Sequence, residues 1–71
     1  MADTTAQMNS LRIAGADLAD KKGHATTSFE EYAGGAVYIT ECADCGRYVW
    51  AEIWPDGHDL RGSALTLDCG K

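Results

Sequence analysis

The fold is decided by one stretch near the middle of the chain, residues 41–54, which reads ECADCGRYVWAEIW. It opens on a Cys-x-x-Cys-Gly element, Cys42 to Gly46, and continues as an aromatic and β-branched run that predicts a strand. Two cysteines in a tight turn between strands are typical of a zinc knuckle, and the glycine suits a turn that needs positive φ. The stretch therefore predicts a metal-binding turn at one end of a β-sheet.

The size of the chain and its cysteine count favour a metal over disulfides. The chain has 71 residues and three cysteines, and a domain this small usually needs disulfides, a metal or oligomerisation for stability. An odd cysteine count does not close a disulfide set, and the polar residues after Met1 do not resemble a signal peptide. We therefore expect a single zinc-binding domain over residues 1–71, located in the cytoplasm, where clustered cysteines are more often metal ligands or redox groups.

The pattern around this stretch predicts a small α+β fold, an N-terminal helix packed on an antiparallel β-meander, as in zinc ribbons. The helix is expected over residues 4–22, with Met8, Leu11, Gly15 and Leu18 on one face and Gly23 as its stop. The meander is expected over residues 24–71, with strands at 26–32, 36–41 and 47–54 and turns at 33–35 and 55–57. The last segment is either a strand through Leu60 to Leu67 or a short helical turn capped by Ser63.

The metal ligands are expected to be Cys42, Cys45, Cys69 and one of two histidines. A four-strand meander places His24 at the knuckle end, because the strand before the knuckle descends to the 33–35 turn and its partner climbs back. The strand after Cys45 runs about 25 Å in the other direction, at roughly 3.3 Å per residue, and leaves His58 at the far end. The interpretation is one structural Zn²⁺ held by His24, Cys42, Cys45 and Cys69; the alternatives are that His58 is the fourth ligand or that neither histidine is.

Other chemistry for these residues was weighed against zinc. A redox-active Cys-x-x-Cys should open a helix in a βαβ pattern, which is not predicted here; uncoordinated thiols and an iron centre remain open. Glu41 and Asp44 flank the knuckle, and we interpret them as exposed loop acids rather than as a catalytic base. Four protein ligands close a zinc site, so we predict that the protein is not an enzyme.

Charge and aromatic residues bear on the partner. The net charge is −5, and the six basic residues form no stripe in the sequence, which opposes binding to a phosphate backbone. The strand at 47–54 carries large residues on both faces, with Tyr48, Trp50 and Trp54 on one of them. Either the tryptophans form the core, the interpretation we favour for so small a domain, or they form an exposed patch typical of protein-binding hot spots.

Several short motifs together resemble a known group of proteins. They are a Leu-Arg-x-Ala-Gly helix (residues 11–15), Gly23-His24, the Cys-x-x-Cys-Gly element, an aromatic strand, and Gly-x-Ala-Leu (62–65) followed by Cys69. The set looks like the short zinc-ribbon or zinc-finger-like proteins encoded by phages of actinobacteria, although Gly15-Ala16-Asp17 stands where a second histidine is expected. The resemblance implies an accessory protein in the host cytoplasm that binds and modulates a host protein, with His24 as the natural ligand.

Two functions from different classes follow. The first is a non-enzymatic protein-interaction module in which zinc fixes the fold and an acidic, aromatic surface contacts a partner protein, with no membrane involved. The alternative is a zinc-finger nucleic-acid-binding protein, which the metal motif favours and the negative charge opposes. A mimic of nucleic acid that occupies a DNA-binding protein ranks below both.

Overall fold

The chain forms a small α+β fold, in which one long helix packs on a four-stranded antiparallel sheet. A computed structural model describes residues 4–69. Its elements, in chain order, are α1 (Thr4–Lys21), β1 (Glu30–Tyr32), a 3-10 turn (Ala33–Gly35), β2 (Val37–Glu41), β3 (Tyr48–Trp54), β4 (Gly57–Arg61) and α2 (Ser63–Thr66). Within the described residues, no helix has the length and apolar character needed to cross a membrane.

The sheet is a simple up-and-down meander. Its strand order is β1-β2-β3-β4, and every neighbouring pair is antiparallel. The knuckle connects β2 to β3 at one end, while the 3-10 turn and the 55–56 turn lie at the other. The predicted fold class and strand path are confirmed, and His58, which pairs with Ile53, lies at the predicted end far from the knuckle.

Helix α1 covers one side of the sheet, which we call the inner face. Its main residues lie on β2, β3 and β4 and are Tyr38, Thr40, Val49, Ala51, Ile53 and Leu60. Gly15 lets the helix approach closely, since a β-carbon there would lie 2.8 Å from Val49 Cγ1 and 3.0 Å from Leu60 Cδ1. A glycine inside a helix lowers its stability, but Gly15 also permits this close contact with the sheet.

One predicted member of the helix face is wrong. Leu18 is 42% exposed, and Ala19 is fully buried in its place. At about 100° per residue, position 19 lies roughly 20° from the direction of Met8, whereas position 18 lies about 80° away. The small alanine also suits the close approach that Gly15 establishes.

The first strand is shorter than the predicted 26–32. Regular pairing covers Glu30–Tyr32, and Thr26 forms one further bridge with Cys42. Between these two pairings, residues 26–30 contain one residue more than the facing residues 39–42. The segment therefore bulges, as β-strands do when one residue has no partner, and Thr40 Oγ1 donates to the Thr27 carbonyl oxygen at 2.7 Å.

The last segment contains a strand and a helical turn, but the predicted cap at Ser63 is wrong: Ser63 is the first residue of the turn, and Gly62 is its N-cap without a side-chain hydrogen bond. The segment forms β4 up to Arg61 and then one short helical turn, α2, which buries Ala64. Gly62 makes this change of direction possible, with φ at 137° and a site where a β-carbon would lie 2.2 Å from the Tyr48 carbonyl oxygen. The chain then runs back toward the knuckle, where Cys69 lies.

The side of the sheet opposite α1 is the outer face, and it carries both tryptophans. Its residues are Glu30, Tyr32, Val37, Ile39, Glu41, Tyr48, Trp50, Glu52, Trp54, Asp59 and Arg61. Trp54 is 46% exposed and Trp50 is half-buried, so the interpretation that they form the core is wrong. The smaller aliphatic residues of β3 face α1 because the helix lies too close to the sheet for an indole ring.

Candidate metal centre

Four side chains meet at the knuckle end of the sheet. They are His24, Cys42, Cys45 and Cys69, and their ligand atoms all lie within 4.8 Å of one another. Cys42 Sγ is 3.8 Å from Cys69 Sγ, and Cys45 Sγ is 3.4 Å from His24 Nδ1. The structure thus brings together the four residues that the sequence singles out, in a group that could hold one metal ion.

His24 is delivered to this group by the end of α1. The His24 N–H donates to the Ala19 carbonyl oxygen at 3.0 Å, and the Gly23 N–H donates to that of Asp20 at 2.9 Å. With φ at 82° in Gly23, these two bonds form a Schellman motif, which ends the helix and reverses the chain. The predicted stop at Gly23 is therefore confirmed, and it places the next residue, His24, in a buried position with 3% of its surface exposed.

The two knuckle cysteines are held by a tight turn. The Cys42 N–H donates to the Arg47 carbonyl oxygen at 2.7 Å, and the Gly46 N–H donates back to the Cys42 carbonyl oxygen at 2.9 Å. Gly46 has φ at 79°, as the sequence predicts for this position. The turn aims both thiols at one point.

The third cysteine comes from the end of the described chain. The Cys69 N–H donates to the Lys22 carbonyl oxygen at 2.9 Å, which ties the segment after α2 to the end of α1. The group therefore joins three parts of the chain that are far apart in sequence: the helix end, the β2–β3 turn and the C-terminal segment. One ion bound there would link all three.

Local hydrogen bonds prepare Cys42 for the thiolate form. Burial alone would raise the pKa of its thiol, but hydrogen bonds from the backbone N–H groups of Asp44, Cys45 and Ala25, and from the His24 ring when that ring is protonated, outweigh it. Together they lower the pKa of Cys42 from 9.0 to about 6. Since the thiolate is the form that binds metals, the fold offers a ready ligand at neutral pH.

The orientation of His24 identifies its ligand atom. Its Nε2 lies 2.7 Å from the Leu67 carbonyl oxygen, which can only accept, so Nε2 carries the proton. Nδ1 is then the nitrogen with the lone pair, and it faces Cys45. This contact with Leu67 also raises the pKa of His24, with further contributions from Cys42 and Cys45. A second hydrogen bond that fixes the tautomer is what metal-binding histidines generally have.

The other candidates from the sequence lie outside the group. His58 is exposed on β4 at the opposite end of the sheet. Glu41 and Asp44 are exposed beside the knuckle, in agreement with their interpretation as surface acids. Their carboxylates are not among the ligand atoms that meet.

Comparison with known proteins adds no relative. No protein-family model, curated protein or solved structure matches the chain. The resemblance to zinc-ribbon-like proteins of actinobacterial phages therefore stays a prediction that rests on the motifs alone.

Sequence reasoning did not predict two features of functional interest: the contact that orients His24 and the exposure of the two tryptophans. The Leu67 carbonyl group orients His24, and a main-chain acceptor leaves no sequence signal. The exposure of Trp50 and Trp54 did leave one, because Glu52 lies between them on the same face of β3. A carboxylate at that position marks the solvent side of a strand.

Proposed function

We propose that this chain is a structural-zinc domain without enzymatic activity, which acts as a protein-interaction module. The observation that carries the zinc assignment is the geometry of the four ligand atoms. A tetrahedral Zn²⁺ with typical bond lengths separates two sulfurs by about 3.8 Å and a sulfur from a nitrogen by about 3.6 Å. The Cys42–Cys69 distance of 3.8 Å and the Cys45–His24 distance of 3.4 Å lie close to these values, and all four ligand atoms lie within 4.8 Å of one another.

The ligand set favours a structural role for the metal. Three thiolates and one imidazole complete a tetrahedron, whereas catalytic zinc sites keep one position for water or substrate. The group joins the helix end, the knuckle and the C-terminal segment. In a domain of 71 residues, such a link adds stability that a small core does not supply.

Native mass spectrometry with and without a chelator tests the metal assignment. We expect one Zn²⁺ per chain as purified, and loss of helical and sheet signal in circular dichroism when the chelator removes it. Iron would be recognised by mass and colour. A protein that stays folded and metal-free after ordinary purification would refute the proposal.

The outer face supports the interaction role. Tyr32, Tyr48 and Trp54 are each between 42% and 47% exposed on it. When one face of an antiparallel sheet is covered, the opposite face usually carries polar residues that contact water. Three large exposed aromatic residues are unusual on such a face. Tyrosine and tryptophan are the residues most enriched in protein-binding hot spots.

The resemblance to phage accessory proteins favours a host protein as the partner. Affinity capture from an actinobacterial lysate at low salt is the first test of this role. Failure to recover any stoichiometric protein would count against an interaction module. Titration with duplex and single-stranded DNA and RNA tests the nucleic-acid alternative, for which binding should weaken steeply with salt.

A further inference from the structure

One basic side chain of the protein itself, Arg61, is bound on the outer face. The Arg61 guanidinium lies over the Trp50 ring, 4.8 Å from its centroid, and forms ion pairs with Glu52 at 3.4 Å and Asp59 at 2.7 Å. Trp50 Nε1 donates to the same Glu52 carboxylate at 3.0 Å. On the β3–β4 half of the face, an aromatic ring and two carboxylates thus hold one arginine.

The β1–β2 half has the same kinds of side chain without a basic residue. Glu30 and Glu41 lie on this half, and within residues 4–69 neither forms a salt bridge. Glu30 accepts a hydrogen bond from the Tyr32 hydroxyl at 2.9 Å. Both carboxylates and Tyr32 line a depression of about 170 Å³, together with Ile39. The two carboxylates also raise the pKa of Tyr32, Glu30 through its hydrogen bond and Glu41 through its charge.

We propose that the outer face binds a basic segment of a partner protein, with an arginine or lysine side chain of that segment seated beside Tyr32 between Glu30 and Glu41. Apolar residues flanking the basic one would pack on Ile39 and Tyr48 of the same face. The inference rests on the proposed interaction role and adds the chemistry of the partner and the place where it docks.

Charge decides between the possible occupants of this face. It carries four carboxylates, Glu30, Glu41, Glu52 and Asp59, against the single guanidinium of Arg61, which gives a net charge of −3. A second copy of the same face, a nucleic acid or an anionic membrane would meet repulsion there. A basic segment is attracted, and its approach is also accelerated by the charge.

The test uses the zinc-loaded protein and two synthetic peptides. One peptide combines arginine with leucine and serine, and the other has glutamate in place of each arginine. Amide NMR spectra, together with the indole N–H signals of Trp50 and Trp54, report where each peptide binds. We expect the arginine peptide alone to shift signals, the shifts to concentrate on β1, β2 and β3, and binding to weaken as salt screens the charges.

Matched variants distinguish binding at the outer face from attraction by the overall negative charge of the protein. We expect the double variant Glu30→Gln/Glu41→Gln to weaken binding at least about threefold, the scale of two exposed ion pairs. The control Asp17→Asn/Asp20→Asn changes the net charge equally on exposed positions of α1 and should leave affinity unchanged. Tyr32→Ala should weaken binding, whereas Ile13→Ala, which removes an exposed apolar side chain of α1, should not.

The possible failures are distinguishable from failure of the proposed function. Equal weakening by both double variants, shifts confined to α1, or no binding of the arginine peptide would overturn the inference and leave the zinc assignment untouched. Preferential binding of the glutamate peptide would overturn it while keeping an interaction role. Unchanged zinc content and amide dispersion in each variant ensure that a loss of binding is not a loss of fold.

Discussion

Replacing His24 tests the metal centre most directly. His24→Ala removes one of four ligands and the donor to the Leu67 carbonyl oxygen at once. Structural zinc sites bind with about 10–16 kcal/mol, so one ligand of four corresponds to about 2.5–4 kcal/mol. The lost hydrogen bond adds about 1 kcal/mol. At about 1.4 kcal/mol per factor of ten, we expect zinc affinity to fall at least about 100-fold.

Competition against a chromophoric zinc chelator measures this change, and two further variants interpret it. His24→Gln retains a donor near the position of Nε2 but loses the Nδ1 ligand, so it should recover only the smaller hydrogen-bond contribution. His58→Ala removes an exposed histidine at the opposite end of the sheet and should stay within about twofold of the parent. Comparing the variants separates the contribution of Nδ1 as a metal ligand from that of the Nε2 hydrogen bond to Leu67.

Two results would refute this reasoning. A loss from His58→Ala comparable to that from His24→Ala would mean that the strand path places the wrong histidine at the metal. Full zinc affinity in His24→Gln would mean that Nδ1 is not a ligand. Neither result could be attributed to unfolding if amide dispersion of the zinc-loaded variants matched the parent.

Three further predictions concern the backbone and the thiols. Gly62→Ala should unfold the domain or lower its free energy of unfolding by more than about 3 kcal/mol in chemical denaturation, because the new β-carbon would lie 2.2 Å from the Tyr48 carbonyl oxygen. As a control, Gly46→Ala should lower it by only about 1–2 kcal/mol, because Gly46 also has positive φ but no atom lies within 4 Å of a β-carbon there. Gly15→Ala should lower the free energy of unfolding by about 1–3 kcal/mol through overpacking against Val49, despite the better helix propensity of alanine, and a stabilised variant would contradict the close approach. In the metal-free chain kept folded by an osmolyte, ultraviolet absorbance should show a step near pH 6 from the Cys42 thiol, whose pKa should return toward its usual 9.0 in denaturant. Cys42→Ser should abolish that step.

The ligand group could be predicted because its geometry follows from strand direction. Cys42 and Cys45 mark a turn, and an antiparallel path from that turn returns both His24 and Cys69 to the same end of the sheet. This inference needs only the number and direction of strands. The four residues therefore meet as predicted, although the segment before Glu30 bulges and the last segment forms β4 and α2 instead of one long strand.

The packing of the helix could not be predicted from residue types alone. Both sides of β3 carry apolar residues, so hydrophobicity did not show which side α1 covers. The answer depends on the distance between helix and sheet, which Gly15 and Ala19 set through their small size. At that distance Val49 and Ala51 fit beneath the helix, and the indole of Trp50 is left on the other face.

The His24/Cys42/Cys45/Cys69 group and the outer face lie in different parts of the molecule, so the two proposed roles do not depend on the same residues. The group holds together the helix end, the knuckle and the C-terminal segment, all at one end of the sheet. Stabilisation by a metal bound to this group would not require a second layer of chain over the outer face. That face keeps Tyr48 and Trp54 exposed, beside carboxylates of which only some are neutralised by Arg61. A partner that supplied basic and apolar side chains would complete it. If the group holds zinc as proposed, a chelator should abolish binding of that partner indirectly, by unfolding the sheet that carries the outer face.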